Sequence, residues 1–214
     1  MNLPNKLTIS RIILVPIFML FIMPFPSWVL DSSFLSFIHP ELVSINKFIL
    51  DYGNYIGAII FILAASTDKI DGYIARKRKQ VTKLGIFLDP IADKLLITAA
   101  LIALVQRYEM TGNGVSGWAA MVIIAREFLV TGLRLVAAGE GKILAAGKWG
   151  KIKMVAQTIA VASSLLNNFP FAQIKGMQDF HFDRYSMIIA IIITIYSLFD
   201  YFYKNREVLK IQDR

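Results

Sequence analysis

Six stretches of the chain are long, mostly apolar and bounded by charge. Ile12–Leu30 contains no charged residue, nor does Tyr52–Thr67, whose helical pattern continues to Arg76. Met154–Ile174 is also uncharged, and Tyr185–Tyr203 carries Asp200 alone. Two further stretches carry charges within them: Ile86–Gln106 holds Asp89, Asp93 and Lys94, and Val115–Ala138 holds Arg126, Glu127 and Arg134. A helix crossing a bilayer takes roughly 20 apolar residues. The pattern therefore predicts an all-α integral membrane bundle of six transmembrane helices. Ionisable residues inside spans are costly and tend to be functional, so chemistry is expected in the third and fourth spans. Between the first two spans, Asp31–Asp51 alternates Phe34, Leu35, Phe37 and Ile38 with polar residues at roughly helical spacing. That predicts an amphipathic segment on the outer interface. The first span follows Lys6 and Arg11, as a signal peptide would, but Pro24-Phe25-Pro26 is a poor cleavage site, and a retained helix is expected.

Composition agrees with this pattern. Of 214 residues, 56% are hydrophobic and 18% charged, against about a quarter charged in soluble domains. Disorder, collagen-like repeats and coiled coils are excluded. Cysteine is absent, which removes disulfides, thiolate metal sites and thiol nucleophiles. No internal repeat supports an inverted-repeat transporter, and residues 1–214 read as one domain.

The net charge of +8 suits nucleic acid or a membrane surface, and its placement decides between them. The Arg76–Lys79 run, Lys148, Lys151, Lys153 and the basic residues from Lys204 onward fall on one side of the six spans. Only Lys47, Arg107, Lys175 and Arg184 fall on the other. Short basic loops stay in the cytoplasm, so both termini are expected there. No interleaving of aromatic and basic residues suggests base stacking, so no nucleic-acid partner is expected. The compact chain without a transit segment points to a bacterial plasma membrane.

The most informative segment joins the second and third spans. Asp68 and Asp71 are three apart, and Asp89 and Asp93 four apart, so each pair shares a helix face. A basic connection, Lys77–Leu84, lets the two helices return antiparallel and the four carboxylates converge. Unpaired carboxylates at membrane depth are expensive, so cations among them are expected. Oxygen-only donors suit Mg2+ first, with Mn2+ or Ca2+ also fitting, and four carboxylates suffice for two ions. Gly72, Ala75 and Gly85 would let a ligand, or the neighbouring helix, approach the backbone. Arg76 could clamp a diphosphate or simply mark a helix end. Pro90 is expected to kink the third span or start it near Asp89.

The spacing D-x2-D-G-x2-A-R-x8-G-x3-D-x3-D, eight fixed residues over 26 positions, resembles the signature of the CDP-alcohol phosphotransferase family. The resemblance implies a six-span membrane enzyme, often a homodimer, that needs divalent metal. Such an enzyme transfers a phosphatidyl or similar group from a CDP-linked donor to an alcohol and releases CMP. Asp68, Asp71 and Asp89 match its metal positions, and Asp93 matches both a contributor to the second ion and the proton acceptor. Gly72, Arg76 and Thr82 match positions contacting the CDP moiety, as does the Asn5–Thr8 stretch. Helix capping is the alternative for Thr8 and Thr82.

Asn2–Arg11, Ala125-Arg126-Glu127, Gly132-Leu133-Arg134 and Gly147–Lys153 resemble the branch of the family that uses glycerol phosphate. That implies CDP-diacylglycerol as donor, sn-glycerol 3-phosphate as acceptor and membrane lipid as surroundings. A phosphate-bearing acceptor needs cations, and Arg126, Arg134, Lys148 and Lys151 are the candidates. Structural pairing with Glu127 or Glu140 is the alternative, although adjacent helix residues such as 126 and 127 point in different directions. His39 and His181 fall on the outer side and receive no role. Three rivals remain: a relative with another acceptor, such as inositol phosphate or serine; an ion-coupled transporter using the same carboxylates; and a purely structural subunit. The transporter is disfavoured because the acidic cluster sits at one membrane side.

Overall fold

The computed structural model describes residues 3–77, 83–139, 141–142, 144–145, 147–177 and 179–206, with the side chains of 3–7, 35, 68–77, 83–87, 89–90 and 93 outside that description. Among the described residues, regular structure is entirely helical. The elements are α1 (Leu3–Ile22), α2 (Ser27–Leu30), a 3₁₀ turn (Ser33–Ile38), α3 (His39–Lys77), α4 (Lys83–Thr111), α5 (Gly117–Gly139), α6 (Lys148–Leu165), a second 3₁₀ turn (Phe171–Gln173) and α7 (Phe182–Lys204).

Each expected span has its long helix, but several boundaries move. The first was expected over Ile12–Leu30, and α1 instead stops at Ile22. Pro24 and Pro26 explain the stop, since proline lacks an N–H and disfavours helix in the residue before it. Asn46 Oδ1 accepts from the Phe25 N–H at 2.7 Å and Gln106 Nε2 donates to the Pro24 carbonyl at 2.9 Å, so the break is pinned. The expected interfacial segment 31–51 is not a unit of its own. From His39 onward it belongs to α3, a helix of 39 residues and about 58 Å. Helix α4 begins at Lys83, so Pro90 does not start it. Helix α6 ends at Leu165 rather than Ile174. Asn167 and Asn168 adopt φ of 49° and 61°, the left-handed conformation that ends helices, and Pro170 follows.

The chain forms two compact units, Met1–Gly114 with Ser164–Asn167, and Val115–Ser163 with Asn168–Arg214. In the first, α1 packs on both α3 and α4. Helix α3 admits α1 at two glycines. A Cβ on Gly53 would lie 2.4 Å from the Phe21 carbonyl oxygen, and one on Gly57 would lie 2.9 Å from Ile22 Cδ1 and 3.3 Å from Phe18 Cε2. As α3 advances from 53 to 57, α1 retreats toward Phe18, so the two are antiparallel. Arg107, 3% exposed near the end of α4, donates to the carbonyls of Ile22 (3.4 Å), Ile49 (3.2 Å) and Leu50 (2.9 Å). The end of α4 thus meets the early part of α3, and these two helices are antiparallel as expected.

The second unit is built on contacts between α5 and α7, with α6 tied to both by side chains. Its interior mixes small, hydroxyl-bearing and charged groups with apolar ones, and much of its exterior is apolar. Helix α7 buries Ser186, Met187, Ala190, Thr194, Ser197 and Tyr201, and exposes Ile188, Ile189, Ile192, Ile195 and Phe199. Gln157 Nε2 donates to Thr194 Oγ1 at 2.9 Å, and the hydroxyls of Ser163 and Ser186 lie 2.8 Å apart. Small and hydroxyl-bearing residues inside with isoleucine outside is the arrangement helices adopt in lipid. Ser36–Thr67 and Phe182–Lys204 are, by length and composition, able to cross a membrane.

The two kinds of glycine make opposite predictions. Gly53→Ala should destabilise the protein by about 1–3 kcal/mol, because the clashing atom is backbone and cannot rotate away. Gly132, with nothing within 4 Å of a Cβ, should tolerate Ala or gain about 0.5–1 kcal/mol from helix propensity. Thermal unfolding of the two variants in detergent micelles measures the contrast.

Candidate active site

The two acidic pairs lie within continuous helix, Asp68 and Asp71 in α3 and Asp89 and Asp93 in α4. The spacing argument for a shared face within each pair therefore holds for the backbone. Arg107 fixes their relative height. Leu50 to Asp68 is 18 residues along α3, and Arg107 back to Asp89 is 18 along α4, about 27 Å in both directions at ~1.5 Å per residue. The antiparallel register thus brings Asp68 and Asp89 to the same level, at the end of the pair nearest the 78–82 connection.

Helix α1 reaches that level too. Its contacts at Gly53 and Gly57 place residue 22 beside 53 and residue 18 beside 57. Continued at equal rise, this register puts Asn5–Thr8 alongside Thr67–Ile70. Thr8 is buried (2% exposed) and lies well inside α1, so it is not the helix cap that was the alternative for it. Arg11, expected as a flanking surface charge, is also buried (3% exposed), about one turn from the carboxylate level. Gly72, Ala75 and Arg76 occupy the last turns of α3, and Gly85 the first turn of α4. Thr82 lies outside the described residues, as does Glu140, the expected alternative partner for the cations.

The expected acceptor-binding cations belong to the second unit. Arg126, 6% exposed on α5, donates from Nη2 to Ser197 Oγ at 2.8 Å and from Nη1 to Glu127 Oε1 at 3.4 Å. Pairing with Glu127 was the alternative reading for Arg126, and the contact is present, with Lys153 Nζ of α6 donating to the same Glu127 oxygen. The Nε of Arg126 is buried and has no hydrogen-bond partner among the described residues. Arg134 donates from Nε to the Tyr201 hydroxyl at 3.0 Å, with its guanidinium carbon 5.5 Å from the centre of the Tyr201 ring. Lys148 and Lys151, in the first turn of α6, are exposed. Gly150 in that turn lies near Arg126, its Cβ direction ending 4.0 Å from Nη2.

Residues 1–196 match the CDP-alcohol phosphatidyltransferase family. The chain belongs to that family. Its similarity to curated relatives runs nearly end to end. It is 44% identical over 209 residues to the CDP-diacylglycerol–glycerol-3-phosphate 3-phosphatidyltransferase of Bacillus subtilis, covering 98% of this chain and 97% of that one. Proteins of the same name from Pseudomonas fluorescens (34% identity, 94% and 88% covered) and Haemophilus influenzae (32%, 94% and 91%) are also similar.

For a CDP-alcohol phosphatidyltransferase, the sequence reading missed Lys153, Ser197 and Tyr201. Lys153 stood in it as a cytoplasmic-side charge and as the last residue of the Gly147–Lys153 resemblance. Its burial follows from α6 starting at Lys148, six residues ahead of the expected span, which carries 153 into the helix. The hydroxyls of α7 gave no signal beyond their one-turn spacing.

The Glu127–Lys153 pair, with side chains 15% and 7% exposed, differs sharply from Asp200–Lys204, whose lysine is 61% exposed. Removing one partner of a buried pair strands the other charge, so Lys153→Met should cost about 3 kcal/mol or more. Lys204→Met should cost less than about 1 kcal/mol. Unfolding midpoints in detergent give the comparison.

Proposed function

We propose that the chain transfers the phosphatidyl group of CDP-diacylglycerol to sn-glycerol 3-phosphate, giving phosphatidylglycerophosphate and CMP. The observation that carries this reading is the common level of Asp68 and Asp89 at one end of the antiparallel α3–α4 pair. The activity printed in the names of the end-to-end relatives supports the same donor and acceptor. In the topology proposed here, six helices cross the plasma membrane, both termini and the acidic level face the cytoplasm, and the enzyme works as a homodimer. The basic 76–79 run and the small and hydroxyl-bearing buried face of α7 support that orientation and setting.

The donor set fits hard divalent cations: four aspartates within about 10 Å along the axis at one end of the α3–α4 pair, with no thiolate and no histidine among the signature residues. Asp68, Asp71, Asp89 and Asp93 would hold two Mg2+ ions, which, when bound, neutralise the donor diphosphate and the charge of departing CMP. Asp93 takes the proton of the acceptor hydroxyl. That oxygen bonds to the β-phosphorus as the bond from this phosphorus to the CMP bridging oxygen breaks. Gly72, Ala75 and Gly85 leave room for the nucleotide beside the helices. Arg76, Thr82 and Asn5–Thr8 hold the CDP moiety. Arg126, Arg134, Lys148 and Lys151 bind the acceptor phosphate.

Purified protein in detergent should release CMP from CDP-diacylglycerol only when glycerol 3-phosphate and Mg2+ are present, and EDTA should abolish the release. Asp93→Asn should lower turnover by about 10²-fold or more with helical content unchanged by circular dichroism. Release with serine or inositol phosphate instead would reject the acceptor. No release with any acceptor, or full activity in Asp93→Asn, would reject the reading.

A further inference from the structure

Two arginines two turns apart on one helix do not automatically serve one small anion. Arg126 and Arg134 are eight residues apart, about 12 Å along α5. Their hydroxyl partners on α7, Ser197 and Tyr201, are four apart, about 6 Å. The two guanidiniums are therefore tied to residues one turn apart on α7, although their own positions are two turns apart on α5. The two anchors are fixed: Ser197 is 2% and Tyr201 6% exposed, and the Tyr201 ring packs with Val130, Leu133 and Ala137 of α5. One guanidinium edge stays open, since the buried Nε of Arg126 has no partner among the described residues.

We infer that Ser197 and Tyr201 are positioning residues that converge Arg126 and Arg134 on a single phosphate group of the acceptor. The inference rests on the proposed role of these arginines in binding glycerol 3-phosphate. Neither hydroxyl touches substrate. Each accepts a hydrogen bond from a guanidinium and so fixes where its remaining N–H groups point. Arginine recognises phosphate through a planar fork, so a misdirected fork loses affinity without altering the reacting atoms. The class of acceptor selected is thereby an alcohol bearing a phosphate monoester.

Steady-state kinetics on the full-length enzyme in detergent test this, with glycerol 3-phosphate and CDP-diacylglycerol varied separately. Ser197→Ala and Tyr201→Phe should each raise KM for glycerol 3-phosphate about five- to tenfold, with kcat and the donor KM unchanged. Tyr201→Phe keeps the ring under Arg134, and Ser197→Thr, which keeps a hydroxyl, should restore most of the affinity. A purely structural role predicts instead a lowered unfolding midpoint and a fall in kcat with no acceptor-specific change in KM. That outcome, or unchanged kinetics, overturns the inference. Arg126→Gln and Arg134→Gln separate the two levels. If they raise the acceptor KM and the hydroxyl variants do not, only the positioning role fails. If they leave it unchanged, the acceptor assignment fails and the inference with it.

Discussion

The register between α3 and α4 is the constraint on which the chemistry depends, and one buried guanidinium sets it. Arg107 donates to carbonyls on α1 and α3 from the far end of α4. Hydrogen bonds from a charged donor contribute about 1.5–3 kcal/mol each. A slip of one helical turn would offset the levels of Asp68 and Asp89 by about 5 Å. The glycines of α3 act on the same register from the other side. With the Phe21 carbonyl 2.4 Å from where a Cβ on Gly53 would stand, α1 can approach only at that height. A cation clamp about 27 Å from the level of Asp68 and a steric notch about 22 Å from it therefore bear on the position of residues that neither touches.

What the sequence made legible was local. The i,i+3 and i,i+4 spacing of the aspartates and their place on consecutive antiparallel helices are properties of local sequence, and α3 and α4 bear them out. Helix ends were legible only in part. Pro24 and Pro26 mark the end of α1 plainly, yet the uncharged run to Leu30 outweighed them. The end of α6 rests on two asparagines in left-handed backbone, which composition does not distinguish from any other polar pair. Tertiary pairing was not legible. Glu127 bonds its own neighbour and a lysine 26 residues on. Arg11 reads as a flanking charge but is buried, and no sequence pattern separates the two cases.

Large apolar side chains face outward in both units, and each unit holds its helices together differently. In the second unit the interior hydroxyls and amides satisfy one another across helices, with Gln157–Thr194 and Ser163–Ser186 as the clearest instances. Lipid offers no hydrophobic drive for helices to associate, so close packing and such hydrogen bonds must supply it. In the first unit close packing at Gly53 and Gly57 takes that part.

Charge asymmetry then follows from function rather than from folding. Helix α3 beyond Thr67 and the first turns of α4 carry four aspartates among Lys69, Arg76, Lys77, Lys83 and Lys94, while α5 and α6 carry Arg126, Arg134, Lys148, Lys151 and Lys153 against Glu127 as their sole acidic residue. Like charges gathered in a low-dielectric setting oppose folding, so five cations against one carboxylate in α5 and α6 are not explained by stability alone. That surplus leaves a demand for an anion, as the paired aspartates of α3 and α4 leave one for cations. A reaction that brings divalent metal, a diphosphate donor and a phosphate-bearing alcohol together meets both demands, and only when its substrates are bound.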